Sequence, residues 1–251
     1  MKGLERFKAH FSDHSDQYVL IGGAACEIVL GEAGLAFRGT RDLDIVLCVE
    51  AMDADFGRAL WAFIAEGGYE QRQRSTGEKE FYRFVKPRHE AYPFMLELFS
   101  RPPQKISLPA DAVLTPLPID EDVASLSAIL LDERYYQFLM QTRRAVDGAS
   151  VLDEAGLIPF KARAWLDLTA RAVAGHQVDA RNIQKHRADV FRLLQLFAPE
   201  RRVVLPEAVR ADMRAFLTAA AADADFRPPF GTRAEGVARL RTAFEIPVSD
   251  A

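Results

Sequence analysis

The sequence predicts an α+β fold, a mixed-sheet N-terminal domain followed by a helical C-terminal domain. Three observations predict it. Short apolar runs with strand-type alternation fill the N-terminal part, from Tyr18 to Phe99. A proline-rich segment follows, carrying Pro102, Pro103, Pro109, Pro116 and Pro118. Beyond it the apolar residues recur mostly at helical spacing. Strands gathered before helices favour this class over an alternating βα array. The expected domains are 1–118 and 119–251, the second mainly helical and closing a nucleotide cleft.

The elements read as follows. Residues 1–14 form a short amphipathic helix. Tyr18 to Ile21 is a strand, and Gly22-Gly23 turns it into a helix over Ala24 to Leu30. A glycine-containing connection, Gly31 to Gly39, leads to a strand over Leu43 to Val49. A helix over Ala54 to Glu66 is closed by Gly67-Gly68. Strands follow at Tyr69 to Arg74 and Phe81 to Val85, around a polar turn at Ser75 to Glu78. Phe94 to Phe99 is a further strand whose alternation puts Met95, Glu97 and Phe99 on one face. After the proline-rich stretch come helices at Glu121 to Leu131, Glu154 to Ala174, Ala180 to Phe197, Pro206 to Ala221 and Arg233 to Phe244.

At 251 residues the chain is long enough for a sizeable core, and its 49% hydrophobic and 27% charged residues are ordinary for a folded domain. A net charge of −4 carries no global basic signal, so any nucleic-acid contact must come from a local patch. The two cysteines, Cys26 and Cys48, lie in apolar segments and read as free thiols of a reducing compartment. There is no signal-peptide core and no run of the ~18 apolar residues a membrane span needs. The expected location is cytoplasmic.

The chemistry concentrates in Arg38-Gly39-Thr40-Arg41-Asp42-Leu43-Asp44-Ile45. Two carboxylates at i and i+2 share one face of a strand, and they repel unless a positive charge lies between them. Mg²⁺ meets that need, bound by one or two carboxylates together with substrate phosphates. Glu97 is a lone charge in the apolar strand Phe94-Met95-Leu96-Glu97-Leu98-Phe99, where a carboxylate is costly unless paired or metal-bound. It is the candidate third metal ligand beside Asp42 and Asp44. The upstream Gly22-Gly23 lets backbone approach a phosphate at a helix N-terminus. These residues point to a metal-dependent enzyme that handles a nucleoside triphosphate.

Together they resemble the nucleotidyltransferase superfamily: a glycine pair on a strand-helix turn, Asp-x-Asp on the next strand, and a distant third acid. The fuller string, with Arg38 and Thr40, resembles its AbiEii-type toxin branch, as do Leu157 to Leu168 and then Lys185-His186-x-x-Asp189-Val190. The resemblance covers most of residues 15–197. It implies a nucleotidyltransferase-like fold and transfer of a nucleotide from ATP, GTP or a pyrimidine triphosphate, with Mg²⁺, to an acceptor hydroxyl on RNA (tRNA included) or protein. It also implies the toxin half of a toxin–antitoxin pair, with an antitoxin protein as partner. Carried over by position, Gly22 and Gly23 lie under the triphosphate with Arg38, Thr40 and Lys185 as further nucleotide contacts. Asp42, Asp44 and Glu97 hold metal, and Asp189 joins the catalytic set. The chain departs from the pattern in three places. Gly23 stands where many members have serine, the spacer to Asp42 is long, and His186 replaces the first acid of a late Lys-Asp-x-x-Asp.

Lys161 carries a separate argument. At 100° per residue it lies near the centre of the apolar arc of Leu157, Ile158, Ala164, Trp165, Leu168 and Ala172, so it must snorkel out or find an anion. The expected anion is the β- or γ-phosphate. Arg187 points into the apolar arc of the next helix. Lys185 and Asp189 are spaced for a surface ion pair on another face. His10 and His14 read as surface histidines. Arg72, Arg74, Lys79, Arg83, Lys86, Arg88 and His89 read as the solvated face of a hairpin, with RNA tracking the sharper alternative. Two other functions compete: a non-catalytic nucleotide- or partner-binding module, and a sugar-nucleotide transferase, which needs only the aspartate pair.

Overall fold

The computed structural model describes residues 1–48, 51, 53–75, 80–100 and 132–247, with residues 71–75, 80–82 and 100 described in backbone only. The proline-rich segment and the expected helix at Glu121 to Leu131 lie outside the described residues. Two units form, Met1–Ile119 with Arg143–Asp153, and Asp120–Thr142 with Glu154–Ala251.

The first unit is built on a seven-stranded mixed sheet. Its strands in chain order are β1 (Tyr18–Ile21), β2 (Asp42–Leu47), β3 (Glu70–Ser75), β4 (Glu80–Val85), β5 (Met95–Ser100), β6 (Arg143–Val146) and β7 (Ala149–Leu152). Across the sheet the order is β3-β4-β5-β2-β1-β7-β6. Only β2 with β5 and β1 with β7 run parallel; the other pairings are antiparallel. All four side chains of β1, Tyr-Val-Leu-Ile, are buried, as befits a central strand covered on both faces.

Among the described residues the α-helices of this unit are α1 (Leu4–His10), α2 (Gly22–Glu32) and α3 (Ala54–Gly67). Asp53 caps α3, accepting a 2.8 Å hydrogen bond from the Phe56 amide, and Gly68 ends it in the left-handed conformation. Phe7 of α1 meets Tyr18 edge-on at 5.2 Å and Phe63 of α3 at 5.7 Å. Tyr18 pairs with Leu47, so α1 and α3 cover the sheet face that carries Leu43, Ile45 and Leu47. By alternation Asp42 and Asp44 project to the other face.

The sequence reading assigns no element to 143–152, where the hairpin β6–β7 forms and joins the first unit. The boundary at 118/119 therefore does not send the whole of 119–251 to one body. The signal was present. Asp147-Gly148, flanked by Val146 and Ala149, is a two-residue turn with φ +47° and +79°, the pattern that matches strand twist.

The described helices of the second unit are α4 (Glu133–Thr142), α5 (Glu154–Val173), α6 (Ala180–Leu193), α7 (Glu207–Ala222) and α8 (Arg233–Ala243). Leu194–Leu196 add a 3₁₀ turn after α6. The sequence reading also missed α4. Thr232 and Glu235 form a reciprocal capping box at the start of α8. Trp165 packs edge-on against Phe216 at 5.4 Å, and Tyr135 against Phe160 at 5.3 Å. No helix among the described residues is long and apolar enough to cross a membrane.

Candidate active site

Asp42 and Asp44 open β2 half-buried, while Leu43 and Ile45 between and after them are buried on the opposite face. The parallel neighbour β5 sets Glu97 beside Asp44, and the antiparallel β4 sets Arg83 beside Glu97. On the remaining side Ile21 of β1 pairs with Asp44. A single row, Ile21, Asp44, Glu97, Arg83, thus crosses four strands with its side chains on one face.

The row is electrostatically tight. Glu97 is 6% exposed and Arg83 9%. Arg83 donates from Nε to Glu97 Oε1 at 2.7 Å and brings Nη2 to the same oxygen at 2.5 Å. Burial first, then the charge and hydrogen bonding of Asp44, push the Glu97 carboxyl well above its ordinary range; Arg83 pulls the other way. Two acids therefore abut in a dry place with one guanidinium as partial compensation.

The glycine pair closes on the same spot. Gly22 has φ +64°, and a Cβ built there would stand 1.8 Å from Asp44 Oδ2. One at Gly23 would stand 2.7 Å from Thr40 Oγ1. Gly22 begins α2, whose N-cap residue Ile21 offers no side-chain acceptor to the first amides. The turn therefore brings bare backbone, the positive end of a helix and two carboxylates together.

A divalent cation suits this donor set. The glycine pair lets the Asp44 carboxylate and the Thr40 hydroxyl press against bare backbone, the two acids abut, and a guanidinium already stands in for part of the charge they call for. Among the described residues, no group of three or more His, Cys, Asp or Glu side chains is arranged to hold a metal ion. Asp42 pairs with Met95 rather than Glu97, one step outside the Asp44–Glu97 contact. The side chains that would hold the cation are Asp42 and Asp44, with Glu97 beside them.

Of the other expected site residues, Arg38 belongs to the first unit and Lys161, Lys185 and Asp189 to the second. Arg38 lies with its guanidinium carbon 5.0 Å from the Phe37 ring centroid. Lys161 of α5 finds an anion inside its own unit: Nζ is 3.3 Å from Asp189 Oδ2, with the two side chains 6% and 0% exposed. Arg192 reaches Asp189 Oδ1 at 2.9 Å. Asp189 is thus buried rather than on the solvated face expected for an ion pair with Lys185, because α6 turns it toward α5. Lys185 itself is half-buried.

Arg83 is the functional candidate that sequence reasoning passed over. It was grouped with a solvated basic face, yet it is buried against Glu97. Its signal was a lone charge among Phe84 and Val85 that complements the lone charge of Glu97 on a neighbouring strand. Lys86, by contrast, is exposed and pairs with Glu70 at 3.2 Å. His10 is not simply solvated either, since its Nε2 lies 2.8 Å from the Ala59 carbonyl.

The sequence matches no protein-family model and no curated protein. Among solved structures, the chain is similar to an antigenic nucleotidyltransferase-like protein from Paracoccidioides brasiliensis, with 14% identity, 96% of this chain and 94% of that one covered, and a TM-score of 0.45. It is also similar to the Cid1 poly(U) polymerase, with 12% identity, 96% and 74% covered, and a TM-score of 0.29. A third is MenT4, a nucleotidyltransferase toxin from Mycobacterium tuberculosis H37Rv, with 17% identity, 96% and 81% covered, and a TM-score of 0.29. Likeness of this degree carries no argument about the reaction, which has to be built from the site's own residues.

Proposed function

We propose that the chain is a Mg²⁺-dependent nucleotidyltransferase that moves a nucleotide from an NTP to a hydroxyl on RNA or protein. The observation that carries this reading is the register of Asp44 with Glu97 on one sheet face, against the bare backbone of Gly22. In the reaction the acceptor oxygen bonds to the α-phosphorus, the α–β phosphoanhydride bond breaks, pyrophosphate leaves and the hydroxyl proton passes to a carboxylate. Asp44 would orient that hydroxyl. A bound cation would supply charge neutralisation for the attacking and leaving oxygens. The first amides of α2 and the Thr40 hydroxyl would take phosphate oxygens. The resemblance to the AbiEii-type branch supports a role as the toxin of a toxin–antitoxin pair.

A second reading, a non-catalytic nucleotide- or partner-binding module, is favoured by one observation: Arg83 already satisfies Glu97 within the chain. One assay separates the two. The protein is incubated with each labelled NTP, Mg²⁺ and total RNA, alongside Asp44→Ala. Label transferred to RNA or to protein by wild type and lost in the variant supports transfer. Saturable NTP binding with no transferred label supports the module.

A further inference from the structure

Glu97 is held from two sides. Both Arg83 donors converge on one oxygen, Oε1, at 2.7 and 2.5 Å, while Asp44 engages the carboxyl from the neighbouring strand. A guanidinium with two donors on a buried carboxylate is a strong, geometrically defined hold. It occupies the electrostatic role that a cation would fill, since both answer the same pair of negative charges. The partners sit on rigid, paired strands, Arg83 on β4 and Glu97 on β5, so neither backbone is free to drift away.

We infer that Arg83 is a positioning residue that competes with a divalent cation for Glu97: it holds the carboxylate in the ion-free protein and sets how tightly an ion binds. The inference rests on the reading of Asp44 and Glu97 as cation ligands. It makes Arg83 a built-in rival, with the ion site completed when Glu97 turns from the guanidinium to the cation. A residue serving only to support β4 against β5 would not change ion affinity in this direction.

The test is Mn²⁺ binding to the full chain without nucleotide, followed by electron paramagnetic resonance of the free ion. Arg83→Gln is expected to bind Mn²⁺ about tenfold more tightly than wild type, because Glu97 no longer has to leave a charged guanidinium to reach the ion. In the Glu97→Gln background the same substitution should change affinity less than about twofold, since the contested carboxylate is gone. If Arg83→Gln fails to fold, Arg83→Lys carries the test. One ammonium in place of two convergent donors loosens the hold, and binding should tighten about threefold. Unchanged or weaker binding in these variants, with Asp44→Asn abolishing it, overturns the competition but leaves the cation site standing. No Mn²⁺ binding by any of them overturns both.

Discussion

Gly22 presses its backbone against the Asp44 carboxylate so closely that a Cβ would lie 1.8 Å from Oδ2, and it does so at φ +64°. Both facts demand glycine, one for space and one for conformation. Gly22→Ala is therefore expected to lose roughly 2 kcal/mol or more of stability and to displace Asp44. Urea denaturation measures the first effect. Nucleotide transfer, or Mn²⁺ binding, measures the second. A variant as stable as wild type would show that the turn relaxes freely.

Lys161 and Asp189 make a buried pair in the second unit, with Arg192 as an additional partner for the aspartate. Breaking such a pair costs more than replacing it, because the survivor is left charged in an apolar place. Asp189→Asn is expected to cost about 3 kcal/mol, and Lys161→Met with Asp189→Leu less than the single change. Chemical denaturation of the three proteins decides it. If Lys161 also contacts phosphate, Lys161→Met weakens NTP binding beyond what its stability loss explains.

Arg187 is buried over the Phe226 ring, 3.9 Å from its guanidinium carbon to the ring centroid, and bridges to Asp223. That hydrogen bond, foremost, holds the Asp223 carboxyl below its ordinary value of 3.8. A carboxyl with a lowered folded pKa contributes stability above its unfolded value and loses it as pH falls through the folded one. The acid limb of the stability profile, from about pH 4 downward, should thus be shallower in Asp223→Asn. Melting temperatures across that window are the readout, and parallel curves would contradict the coupling.

Two helical glycines should respond with opposite signs to alanine. A Cβ on Gly236 of α8 would stand 2.6 Å from Phe191 Cε1, so Gly236→Ala is expected to cost about 1–3 kcal/mol through overpacking. Gly57 of α3 has nothing within 4 Å of a built Cβ, so Gly57→Ala is expected to stabilise by about 0.5–1 kcal/mol through helix propensity. Thermal unfolding of both variants suffices.

Much of the first unit was legible because its signals are local. The run Tyr18 to Ile21 and the Gly67-Gly68 stop each mark an element within a few residues. Asp42 and Asp44 share a face by strand periodicity alone, and Glu97 stood out as a charge with no polar company. The hairpin at Asp147-Gly148 was equally legible and was passed over. Arg83 was harder. A basic residue in a hairpin is usually solvated, and nothing in its own strand says that Glu97 lies alongside.

The chain's own periodicity and capping residues determined that an α+β molecule carries two aspartates on one strand face, a glycine turn ahead of them, and a lysine turned inward at position 161. Tertiary pairing alone decided who meets whom: Glu97 with Asp44 and Arg83, Lys161 with Asp189, and the 143–152 hairpin with the N-terminal sheet. The reason is physical. A side chain's direction follows from backbone dihedrals a few residues long, whereas its partner follows from strand register and helix packing between segments tens of residues apart, where the burial of the whole core sets the outcome.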